Sequence, residues 1–141
     1  KKVHILRSGN VFGFNPSLRR DTVVNKFMFD AQYGPRILIN GDGQQVRCFL
    51  HIDKLCRAIR QIIAEDIPQG TWNLAEHNFS INTLAANMKE IYPELEYLSI
   101  NQNTRMKNNM LKLPSAISRY VDWPERSFEE ELKAFKDQFA F

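Results

Sequence analysis

Cysteine is nearly missing from this chain: only Cys48 and Cys56 occur in 141 residues. Their spacing fits neither a zinc-binding pair nor a Cys-x-x-Cys redox pair. That excludes a disulfide-stapled scaffold, and two unpaired thiols read as reduced, in a cytoplasmic setting. Long apolar runs are missing too, since none exceeds four residues, against the ~20 that a membrane helix needs. Neither G-x-G-x-x-G nor G-x-x-x-x-G-K-[ST] occurs, which removes both glycine-rich phosphate loops. The three histidines, His4, His51 and His77, are too scattered to suggest a metal site. Ser8-Gly9-Asn10 lacks the preceding glycine of a nucleophile elbow, and neither cysteine has a base beside it in sequence. The chain therefore shows no self-sufficient active site, and no residue is assigned as catalytic or metal-binding. It opens on Lys1-Lys2 with no initiator methionine and no signal-peptide pattern, which suggests a fragment, a processed chain or a late start.

What is present is ordinary. Hydrophobic residues make up 43% and charged residues 25%, the mix of a globular protein, and the length suits one domain or part of one. Charge is unevenly spread. Residues 1–60 carry eleven Lys/Arg and four Asp/Glu, whereas residues 61–141 carry eight and twelve. The basic first part suits an anion, whether nucleotide, phosphate or nucleic acid, or is simply an uneven solvated surface. Nucleic acid is disfavoured, because the aromatics fall on apolar faces rather than between basic residues.

Strands and helices alternate, which places the chain in the α/β class with short strands. Val3 to Leu6 is a short strand followed by a loop through Ser8-Gly9-Asn10, Gly13 and Asn15-Pro16. Val23, Val24, Phe27 and Ala31 give a helix with Asp21 as N-cap, stopped by Gly34-Pro35. Ile37-Leu38-Ile39 and Val46 to Ile52 are extended, separated by the Gly41-Asp42-Gly43 turn. Asp53 is expected to cap a helix with Leu55, Cys56, Ile59, Ile62 and Ile63 inward. A strand at Thr71 to Ala75 precedes a Ser80-capped helix with Leu84, Ala85, Met88 and Ile91 inward. Leu95 to Ile100 reads as a strand, Asn101 to Lys112 as a polar loop and Ser115 to Tyr120 as a short helix. Ser127 and Glu130 form a capping box for a last helix, whose stripe is Phe128, Leu132, Phe135 and Phe139.

Three polar residues in this framework invite a functional reading. Asn10 follows the first strand, where open α/β sheets place ligand contacts; the alternative is an Asn tolerating a left-handed turn. Arg47 lies in the apolar segment V-R-C-F and needs a partner, either a phosphate or carboxylate ligand or a structural acid. Asn25 sits on or near the apolar face of its helix, either reaching a ligand or lying on the helix surface.

These residues also carry a resemblance. L-R-S-G-N-V-F-G (6–13), V-V-N-K-F (23–27) and G-D-G-Q-Q-V-R-C-F-L-H-I-D (41–53), with G-T-W-N-L-A (70–75), S-I-N-T-L-A (80–85) and Y-V-D-W-P-E-R-S-F-E-E-E-L (120–132), resemble the C-terminal half of extended short-chain dehydrogenase/reductases. These are the NAD-dependent nucleotide-sugar epimerases and dehydratases. The resemblance implies that residues 1–15 are the last part of a Rossmann sheet and residues 16–141 a substrate-binding domain. It implies substrate contacts from Asn10, Asn25 and Arg47 to the diphosphate, with Arg105 joining them. Ile37, Leu38 and Ile39 would lie along the nucleotide base, and Ser8 near the nicotinamide end of NAD. The family's glycine-rich NAD loop and Tyr-x-x-x-Lys pair are absent from these residues. The resemblance therefore implies the sugar-nucleotide-binding portion of an enzyme, inactive and not binding NAD on its own, whose partner is the N-terminal Rossmann half. A non-catalytic binding or interaction module is the alternative. The chain departs from the family at Cys48 and Lys54, where Asp is usual, and at Leu113-Pro114-Ser115-Ala116, where D-x-S-K-A is usual. A first strand without its neighbours would leave apolar edges open, so homo-oligomerisation or displacement of the first residues is expected.

Overall fold

The computed structural model describes residues 1–101 and 103–139. Among the described residues, seven short strands are interspersed with four α-helices and a 3-10 turn at Ala116–Arg119 in an α/β fold. Strand β1 (His4–Ser8) pairs in parallel with β5 (Gly70–Leu74). Strand β4 (Val46–His51) is central to a second sheet, parallel to β2 (Asn10–Phe12) and antiparallel to β6 (His77–Ser80). A third pair joins β3 (Arg36–Asn40) to β7 (Glu96–Ile100) in parallel. The helices are α1 (Val23–Tyr33), α2 (Ile52–Ala64), α3 (Ile81–Ile91) and α4 (Phe128–Asp137).

Local chemistry explains most of these boundaries. Ser80 caps α3 by accepting a hydrogen bond from the Thr83 N–H. The expected box at α4 closes in both directions, with Ser127 accepting from the Glu130 N–H and Glu130 accepting from the Ser127 N–H. In β3 the pleat alternates, so Ile37 and Ile39 are buried while Arg36, Leu38 and Asn40 point outward.

Four expectations need correction. The N-cap of α1 is Thr22, not Asp21, and it makes no side-chain capping bond; Asp21 pairs with Arg19 instead. The N-cap of α2 is His51, whose Nδ1 accepts from the Asp53 N–H at 3.2 Å, so Asp53 lies in the first turn. Asn10–Phe12 is a strand rather than loop, because it finds backbone partners on β4, as does His77–Ser80, which no sequence signal marks as a strand. The apolar stripe of α2 is only partly inward: Leu55 and Ile62 pack against the core, whereas Ile63 is 80% exposed and Cys56 and Ile59 also face outward. No described element lies over that outer side.

Two hydrophobic clusters hold the chain together, and residues on both sides of position 15 contribute to them. The larger joins α1, α3 and α4 to β3 and to Phe12 and Phe49, with Met28, Leu84, Met88, Leu132 and Phe135 at its centre. The smaller gathers Leu50, Ala58, Ile67, Leu74, Ile117 and Val121, with Leu6 of β1 packed against it. Val3, just before β1, and Ile5 within it are exposed.

Candidate functional site

The outward side of β3, the start of β4, the residue opening β2 and the first turn of α1 surround an open cleft of about 490 Å³. Asn10, Leu38, Ile39 and Arg47 all line it, together with Arg19, Thr22, Lys26, Asn40 and Gln45. Three strands and a helix from separate stretches of chain thus bring four of the sequence-derived candidates to one place.

Asn10 has a strand partner and no left-handed backbone; Asn101 is the only non-glycine with positive φ among the described residues. Its Nδ2 donates to the Cys48 carbonyl at 3.1 Å. One further N–H and the side-chain oxygen remain. Among the described residues, Arg47 pairs with no acid. Its NH1 donates to the carbonyls of Val46 and Lys107, and its other guanidinium nitrogens have no protein partner among the described residues. Segment 104–111 is stitched along the same edge, with the Val46 N–H donating to Asn108 Oδ1, Asn109 N–H to the Val46 carbonyl and Leu111 N–H to Asn78 Oδ1. Arg47 is thereby held at one nitrogen and open at the others, which suits a guanidinium meeting an anion.

The other candidates lie elsewhere. Asn25 is 3% exposed, and both ends of its amide are engaged: Oδ1 accepts from the Gly13 N–H, and Nδ2 donates to the Arg19 carbonyl. It fixes the loop leading into α1 and does not line the cleft. Ile37 is fully buried in the larger cluster. Arg105 is exposed and outside the cleft, beside Thr104, whose carbonyl packs against Gly41. Ser8 ends β1, exposed and opposite Leu74.

Sequence reasoning missed Arg19, Thr22, Lys26, Asn40 and Gln45. A signal existed for two of them. Gln45 is two residues before Arg47, and Asn40 two after Leu38, the spacing that shares one side of an extended chain. Arg19 pairs with Asp21 at 2.6 Å and holds that carboxylate below its ordinary range, while Lys26 pairs with Asp30. Both pairs are exposed and weak, so both cations are available to a ligand. The first turn of α1, uncapped by a side chain, lines the same opening through Thr22, Val23 and Lys26, and a helix N-terminus favours negative charge.

A second charged cluster lies apart from the cleft. Lys54, 1% exposed, bridges Glu76 and the fully buried Glu131, the latter at 2.7 Å. Burial pushes the Glu131 carboxyl up to about 7, against the opposing pull of the Lys54 ammonium. Burial also lowers the pKa values of the neighbouring His51 and His77. Ligand atoms of Glu76, His77 and Glu131 converge within 4.8 Å, but the cation between the carboxylates is the Lys54 ammonium.

Comparison with known proteins supplies the remaining evidence. Residues 2–75 match the NAD dependent epimerase/dehydratase family. A dTDP-glucose 4,6-dehydratase of Neisseria gonorrhoeae is 27% identical over 86 residues, which are 57% of this chain and 25% of that protein. Among solved structures, an NAD dependent NDP-hexosamine 5,6-dehydratase of tunicamycin biosynthesis superposes with a TM-score of 0.81 at 18% identity, covering 98% of this chain and 46% of that one. The UDP-glucose 4-epimerase of Thermotoga maritima, solved with UDP-glucose, gives a TM-score of 0.74 at 25% identity, again covering 98% and 46%. The chain thus spans less than half the length of these structures, and its alignment about a quarter of the curated relative.

Proposed function

The chain belongs to the NAD dependent epimerase/dehydratase family, and from that premise we propose that residues 1–141 are the C-terminal, sugar-nucleotide-binding portion of such an enzyme. The observation that carries this reading is the convergence of Arg47, Asn10 and Leu38 on one cleft. The cleft offers what a nucleotide diphosphate requires. Arg47 supplies a fork for phosphate oxygens, Asn10 a neutral donor, and Leu38, 45% exposed, an apolar surface for the base. Arg19 and Lys26 supply the further positive charge that a diphosphate needs, where sequence reasoning had looked to Arg105. Asn25 acts by holding the Gly13–Arg19 loop and not by touching substrate.

NAD, when bound to the whole enzyme, would take a hydride from the sugar and return it after epimerisation or loss of water. The glycine-rich loop and Tyr-x-x-x-Lys pair are not in these residues, so the cofactor's own site belongs to the rest of the enzyme. Ser8 would lie at its rim, where Gly9 packs so closely on the Cys48 carbonyl that a Cβ would sit 2.9 Å from it. The open side of β1, with Val3 and Ile5, and the outer stripe of α2 are where that remaining half would pack.

The test is calorimetric titration of UDP-glucose and dTDP-glucose into the chain. Arg47→Ala should cost about 1.5–3 kcal/mol of affinity, the scale of a hydrogen bond to a charged group. Arg47→Lys should recover only part, because a point charge does not reproduce the fork. A sharp drop in melting temperature with affinity intact would mean that Arg47 serves only to anchor segment 104–111.

A further inference from the structure

Gln45 lines the cleft two residues ahead of Arg47, yet it is only 6% exposed. Its backbone is fixed by the Ile81 N–H, which donates to the Gln45 carbonyl at 3.2 Å. Its side-chain Nε2 donates to the Asn40 carbonyl at 3.1 Å. That bond settles the orientation of the carboxamide, since reversing it would set oxygen against oxygen. The other end, Oε1, is buried and has no hydrogen-bond partner among the described residues. Buried acceptors are normally satisfied, and an unpaired one is destabilising.

The geometry points to Gln45 as a specificity residue whose Oε1 accepts a hydrogen bond from an O–H or N–H of the nucleoside part of the bound nucleotide sugar. This inference rests on the reading of the cleft given above. A carboxamide oxygen only accepts, so its complement carries a donor, and an ionised phosphate has none. The anion therefore falls to Arg47. Two residues of extended chain span roughly 6.6 Å, enough separation for Gln45 to meet the nucleoside while the diphosphate lies at the guanidinium. A ribose hydroxyl and a pyrimidine imide N–H share this donor chemistry, and nucleotide analogues distinguish them.

The experiment is calorimetry on the chain with UDP and dTDP. The tighter binder is carried forward with two analogues, one lacking the ribose hydroxyls and one methylated at N3, alongside inorganic pyrophosphate. Gln45→Met should weaken the nucleotide about tenfold, the value of one hydrogen bond, and leave pyrophosphate unchanged. In the wild type one analogue should lose a similar factor: the hydroxyl-free one if ribose is read, the methylated one if the base is. That analogue should lose little more on Gln45→Met. Equal binding of the nucleotide and both analogues by the wild type overturns the inference, even if Gln45→Met does not fold. The cleft reading then still stands, provided that Arg47→Ala weakens nucleotide and pyrophosphate together. If Arg47→Ala changes neither, or the wild type binds none of them, the cleft reading fails and the inference fails with it.

Discussion

Lys54 concentrates the electrostatics of the fold in one side chain. It is buried to 1% exposure and serves two carboxylates, one of them fully buried. Removing it strands Glu131 without a counter-charge, so Lys54→Met should cost about 3–5 kcal/mol in urea unfolding. The double variant Lys54→Met/Glu131→Leu should recover most of that loss, because an apolar pair of similar volume tolerates burial better than an ion pair. An equally unstable double variant would show that the cost lies in packing. The sign of the pH effect follows from the shifts. Glu131 is raised above its ordinary 4.5, so its contribution is full below about 4.5 and is lost as pH rises through about 7. His51 and His77 are lowered from 6.5, so theirs is present above 6.5 and lost as pH falls through their folded values. Glu131→Gln should therefore remove a loss of stability between pH 4.5 and 7 and leave the acid limb unchanged; an unaltered profile would contradict this. None of it was legible in sequence, where Lys54 stands out only as a departure from the usual Asp and its acids lie 22 and 77 positions away. Asn25 is a related case: periodicity put it on or near the inner face of α1 but said nothing of the Gly13 and Arg19 groups it meets.

At the scale of elements, the sequence was most informative where caps and periodicity are local. The α4 boundary was readable from Ser127 and Glu130 alone, and the same bonds occur in the structure. Ser127→Ala should cost about 0.5–2 kcal/mol, typically near 1, with the thermal midpoint as readout; a change within 0.2 kcal/mol would mean that packing of Phe128, Leu132 and Phe135 alone holds the helix. Short strands were the failure. β2 has three residues and begins beside Gly9, so its turn-forming composition outweighed pairing that depends on β4, some 40 positions later. α2 is the converse case. Its periodicity was real, but Ile59 and Ile63 face outward because no described element covers them, and periodicity alone does not say what lies opposite.

For the whole molecule, Asn10 from β2, Leu38 from β3, Gln45 just before β4, Arg47 within it, and the first turn of α1 meet at one opening because the β2–β4–β6 sheet, the β3–β7 pair and α1 are packed around a shared core. Motif order suggested part of this gathering. The second cation did not emerge from it, because Arg19 and Lys26 reach the cleft through the fold and not through spacing. Val3 and Ile5 near β1 and Ile59 and Ile63 of α2 are exposed; in the proposed function that face meets the rest of the enzyme while the cleft takes a nucleotide sugar. Amide chemical-shift mapping of the isotope-labelled chain during titration with UDP-glucose or dTDP-glucose separates those faces directly. The proposed function predicts shifts clustered at Asn10, Thr22, Leu38, Gln45 and Arg47, and no comparable set with NAD. Shifts confined to β1 and α2, or none at millimolar sugar nucleotide, would contradict it.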